Sequence, residues 1–140
     1  MALSLYVARK GSSDGKAGAF APVVASAAAE VLSRALDRLP PHRRPPAGHP
    51  NPHKPSFPSG HALETTAVAG ASAYVLAREN LASAPAAFGT AAGLSLASTL
   101  GRLYLDRHWA SDAVAGIALG VSVAAACAAL YEVADSRVAI

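Results

Sequence analysis

Four apolar, alanine-rich segments occupy most of this chain: Ala19 to Leu39, Ala62 to Ala77, Pro85 to Leu105 and Asp112 to Tyr131. Asp112 to Tyr131 is the most hydrophobic and is long enough to span a hydrocarbon core of about 30 Å. The other three carry recurrent Ser, Thr and Gly, the small residues that let helices pack closely inside a membrane bundle. Only 15 % of the 140 residues are charged and 52 % are hydrophobic. A soluble domain this small exposes much of its surface and carries about a quarter charged residues, so the deficit points to a bilayer. The expected architecture is all-α, a single domain over 1–140 built as a membrane bundle of about four spanning helices.

The polar stretches fit that layout. Residues 1–16 are short and polar, and they lack the long apolar core and cleavage site of a secretory leader. Pro40 to Pro58 is rich in Pro, His and Arg. Each proline removes a donor and restricts its predecessor, so this run is a long loop, and loops of that length are commonly functional. Pro85 suits the first turn of its helix. Basic residues favour the cytoplasmic side of a membrane. Four crossings put Arg9, Lys10, Lys16, Arg78 and Arg137 together on that side. The long loop and the turn from Leu105 to Ser111 then share the outer side, with Arg38, Arg43, Arg44, Lys54, Arg102 and Arg107 against the charge rule. An anion bound at that face explains the exception.

Some functions are excluded. The net charge of +3 is not gathered into a stripe and has no aromatic-rich motif beside it, so nucleic acid is not an expected partner. A basic rim facing anionic head groups fits better. Cys127 is the one cysteine, which rules out an intrachain disulfide and cysteine metal sites and leaves a small buried hydrophobe. His42, His49, His53, His61, His108 and Asp112 offer metal ligands on paper. The first three lie among prolines without helical spacing, and the nearby arginines repel a cation. No metal or other cofactor is expected.

Two motifs carry chemistry. In Pro58-Ser59-Gly60-His61, Ser59 can cap a helix and Gly60 lets the backbone approach a ligand closely. The free N–H groups and positive dipole end of that helix suit a phosphate. His61 titrates near neutrality and can give a proton to a leaving oxygen. Alone, the tetrapeptide reads as readily as an ordinary cap followed by a solvent-facing histidine. The second motif runs from Gly101 to Asp112. His108 and Asp112 are four apart, on one face if the turn is helical. A carboxylate bonded to one imidazole nitrogen fixes the tautomer and frees the other nitrogen to attack. Arg102 supplies a charged fork for phosphoryl oxygens. The bland alternative is an interfacial His–Asp pair beside Trp109, itself expected to anchor at the membrane boundary.

Together these residues resemble the type 2 phosphatidic acid phosphatase (PAP2) superfamily, shared by vanadium haloperoxidases and bacterial prenyl-diphosphate phosphatases. Pro58 to His61 matches its second signature in full. Arg102, His108 and Asp112 match its third, with Gly101 where the family commonly has Ser. Of the first, Arg44-Pro45 is present, but Asp37 stands where the family has Lys, with Arg38 and Arg34 as neighbouring substitutes. The resemblance covers Arg34 to Gly116. The family's membrane members usually have six spans, and this chain corresponds to the part beginning near the third. The resemblance implies that His108 attacks phosphorus, Asp112 orients its ring, and His61 protonates the leaving group and then activates water. It further implies that Arg44, Arg102, Ser59 and the Gly60 amide hold the phosphoryl oxygens, without a metal. The expected protein is a multi-pass phosphatase of the cell (plasma or inner) membrane, its site on the extracytoplasmic side. The expected substrates are prenyl phosphates or diphosphates first and phosphatidate-like lipids second. The Ala- and Arg-rich composition reads as bacterial. A catalytically silent lipid-phosphate binder of the same fold is the rival; a vanadate-dependent oxidant fits a short apolar chain poorly. Polar helix surface beyond what a four-helix bundle needs points to self-association as a homo-oligomer.

Overall fold

The computed structural model describes residues 16–38, 43–45 and 55–138. The described residues form four α-helices: α1 Lys16–Leu36, α2 Gly60–Arg78, α3 Ala84–Tyr104 and α4 Ala110–Val138. The expectations placed on residues 1–15, His42, His49, His53 and Lys54 lie outside the described residues. The pieces 43–45 and 55–58 are non-helical, in keeping with their prolines.

The helix ends follow local chemistry. Ser59 caps α2 from extended geometry, its Oγ accepting from the Ala62 amide at 3.5 Å. Pro85 falls within the first two positions of α3. Beyond α2 and α3 the chain turns through Asn80 (φ 55°) and Asp106 (φ 50°), residue types that tolerate the left-handed region. α4 runs past Tyr131, where the apolar pattern ends, to Val138. Its polar end is held from across the bundle: Arg78 of α2 reaches Glu132 at 2.9 Å and Asp135 at 3.3 Å, and the Tyr74 hydroxyl donates to Glu132 at 2.5 Å.

α2 is the central helix. It packs along α4, α3 and α1, while α3 leans chiefly on α2 and meets α4 only lightly. The core where α1, α2 and α4 meet is made of small side chains: Ala25, Ala29, Ala67, Ala71 and Cys127 around Leu63. Such side chains bury little apolar area each, so close backbone approach supplies the stabilisation instead. Gly116 and Gly120, four apart on α4, are the contact points. A Cβ on either would stand 2.6 Å from a backbone carbonyl of the α2 segment, that of Ser59 or Leu63 respectively. Many large apolar side chains face outward: Phe20, Val31, Leu100, Val114 and Leu130 are all more than 60 % exposed. Within α4, Ala110–Asp135 is long and apolar enough to cross a membrane; the other described helices fall short of that combined length and hydropathy.

The alternation of direction brings the end of α1, the start of α2, the end of α3 and the start of α4 to one end of the bundle. Both sequence motifs lie there.

Candidate active site

The start of α2 and the start of α4 are joined directly. The Ser59 amide donates to the Asp112 carbonyl at 3.0 Å, just where Gly116 permits contact. Asp112 is fully buried in the first turn of α4. Its Oδ2 accepts from the Trp109 amide at 2.9 Å and, through a very short bond, from the Ser56 hydroxyl. Its Oδ1 is buried and has no hydrogen-bond partner among the described residues. A carboxylate here faces the positive end of the α4 dipole.

His108 sits in the turn before α4, its side chain 10 % exposed. Its Nδ1 lies 2.9 Å from the Ser56 carbonyl and 3.7 Å from Asp112 Oδ2. The expected direct bond between carboxylate and imidazole is therefore longer than a hydrogen bond, and the Ser56 carbonyl is the immediate partner. Burial, and next the charge of Arg44, push the His108 pKa below its ordinary value, against the opposing pull of Ser56 and Asp112. Neutral imidazole, the nucleophilic form, is thereby favoured.

Arg44 ties the loops together. It donates through Nη1 to the Arg107 carbonyl at 2.7 Å and through Nη2 to the Pro55 carbonyl at 2.8 Å. The Trp109 indole N–H donates to the Arg43 carbonyl at 2.8 Å, so this half-exposed ring also fixes the loop.

These elements enclose a cavity of about 340 Å³. His61 and His108 both line it, together with Gly60, Arg44, Arg102 and Arg107. Acidic residues line it too, Glu30 and Asp37 from the α1 end and Glu64 from α2. The structure thus gathers His61, His108, Arg44, Arg102 and Gly60 around one space, with Asp112 behind His108. Ser59 stands behind the lining, 1 % exposed, with its hydroxyl engaged in the cap. Arg38 and Asp37 are both exposed, but only Asp37 lines the cavity. The sequence places Arg107 among the basic residues of this face without a role in the site, and it does not single out Ser56. Arg107 adjoins His108 within the motif and was the easier to find. Ser56 is one more residue of a proline-rich loop, with no spacing signature. Among the described residues, no group of three or more His, Cys, Asp or Glu converges to hold a metal ion.

Two imidazoles and several guanidiniums around a space of this size suit a tetrahedral anion: one imidazole to attack, one to move a proton, and fixed positive charge for the oxygens. No curated protein and no solved structure matches the chain. The sequence model of the PAP2 superfamily does, over residues 17–135, a span that takes in all four helices almost entirely and both motifs. The chain belongs to the PAP2 superfamily.

Proposed function

We propose that this protein is a membrane phosphatase that removes phosphate from a lipid phosphate or diphosphate through a phosphohistidine. The observation that carries the reading is the shared cavity: His61 from the start of α2 and His108 from the turn before α4 face one space with Arg44, Arg102 and Arg107. In the first step His108 forms an N–P bond as the P–O bond to the leaving group breaks, and His61 gives that oxygen its proton. In the second, His61 takes a proton from water, which attacks phosphorus and releases phosphate and His108. Arg44, Arg102, Arg107 and the Gly60 amide hold the phosphoryl oxygens, whose charge grows in the transition state. Asp112, buried behind His108, offsets the charge that the phosphorylated imidazole acquires.

The membrane part of the reading is supported by the inside-out distribution of side chains, small within and large apolar without, and by the span in α4. Several crossings with the cavity on the extracytoplasmic side account for the basic residues clustered at that end. Prenyl diphosphates are the first substrates to test and phosphatidate-like lipids the second. The silent lipid-phosphate binder keeps one observation in its favour: Asp37 lines the cavity where a basic residue would help an anion.

The test is phosphate release from a prenyl diphosphate and from a phosphatidate by detergent-purified protein beside His108→Ala. Release by the native protein and none above background by the variant is expected. Equal release from both removes the catalytic claim. Tight binding without turnover by the native protein selects the silent binder.

A further inference from the structure

The immediate surroundings of His108 assign a task to a residue outside both motifs. We propose that Ser56 is a positioning residue that decides which nitrogen of His108 attacks: its carbonyl holds Nδ1–H, and its hydroxyl, anchored on Asp112, holds that carbonyl in place. The inference rests on the phosphatase reading for its kinetic consequence but not for its structural one.

The argument is one of hydrogen-bond roles. A carbonyl oxygen can only accept, so the 2.9 Å contact between the Ser56 carbonyl and His108 Nδ1 requires the proton on Nδ1. The lone pair is then on Nε2. Asp112 Oδ2, at 3.7 Å, is too far from Nδ1 to set the tautomer directly. Its bonds go elsewhere, to the Ser56 hydroxyl and the Trp109 amide. Ser56 and Asp112 are both fully buried, so the bond between them does not compete with water. The segment is held from its other side too, since Arg44 Nη2 bonds the carbonyl of the preceding Pro55 at 2.8 Å. Ser56 therefore touches both partners of the expected His–Asp pair and bridges the gap between them. In the proposed reaction the Nε2 pair forms the N–P bond while the P–O bond breaks, and Nδ1–H stays on the Ser56 carbonyl throughout.

The test uses the full chain in detergent, labelled with ¹⁵N-histidine, with ring nitrogen shifts read above the His108 titration. Assignment is by loss of the signal in His108→Ala. Native His108 should be protonated on Nδ1, and Asp112→Asn should leave it so, because an asparagine oxygen still accepts from Ser56 and Trp109. Protonation on Nε2 in the native protein overturns the proposal. So does a change of tautomer in Asp112→Asn, which would return the task to the carboxylate. These readouts need no turnover, so they stand even if no phosphate is released and the phosphatase reading fails. Where phosphate is released, Ser56→Ala should lower kcat on the order of tenfold or more with KM within about twofold, since a ring displaced by a fraction of an ångström misaligns attack. Ser56→Thr, which restores the hydroxyl, should recover part of that loss. Native kcat in Ser56→Ala, or an equal loss in both variants, overturns the proposal; if Ser56→Ala does not fold, the tautomer measurements decide alone.

Discussion

Replacing Gly116 by alanine tests whether the meeting of α2 and α4 both stabilises the bundle and sets the site. The new Cβ would lie 2.6 Å from the Ser59 carbonyl oxygen, 2.9 Å from the Ala62 Cβ and 3.2 Å from the Leu63 amide. Two of these three neighbours are backbone, so no side chain can rotate away. To reach ordinary contact near 3.4 Å the helices must part by about 0.8 Å at this level. Overpacking of this kind costs about 1–3 kcal/mol, and the upper half of that range is expected where backbone must move. Ser59 also bonds the Asp112 carbonyl, so the displacement reaches the support of His108. A shift approaching 1 Å lowers turnover by roughly 100-fold. Gly93→Ala on α3 is the control: its Cβ would meet nothing within 4 Å, and alanine is the better helix former by about 0.5–1 kcal/mol. Unfolding in detergent, followed by the fluorescence of the chain's single tryptophan, should show Gly116→Ala well below the native midpoint and Gly93→Ala at or above it. Phosphate release should fall only in the former. A Gly116→Ala protein as stable and active as Gly93→Ala would refute the reasoning.

Two further outcomes follow from the cavity. The lowered pKa of His108 puts the acid limb of kcat/KM below pH 6.5, because protonation silences the nucleophile only once the pH falls through that depressed value; Arg44→Gln, which removes a positive neighbour, should move the limb upward, and a native limb at or above 6.5 contradicts the assignment. Asp37→Lys converts an acidic wall residue into a basic one, so KM for an anionic lipid should fall severalfold; an unchanged KM means that Asp37 does not act on the bound phosphate.

Much of the fold was legible because it is written in long local patterns. The four apolar runs located the helices, with Pro85 and Ser59 close to where two of them begin. The far end of α4 was not legible, since Glu132 and Asp135 look like a stop until Arg78 and Tyr74 arrive from another helix. Site residues divide the same way. His61, Arg102, His108 and Asp112 stand in compact motifs, and the alternating direction of the helices brings those motifs to one end. Which residue beyond the end of α1 reaches the cavity is set by the turn that follows the helix: Asp37 and Arg38 are both exposed there, and only Asp37 lines the cavity. The Ser56 contacts depend on a loop meeting a turn about fifty residues away, and no sequence spacing encodes that.

The most direct measurement is the covalent state of His108 during turnover. His61→Ala protein should be mixed with p-nitrophenyl phosphate, whose leaving group needs no proton, then quenched in alkali and digested for mass spectrometry. Without His61 to activate water, the phosphoryl group should accumulate on His108. Nitrophenol release with the phosphoryl group on another side chain, or never on the protein, would contradict the account.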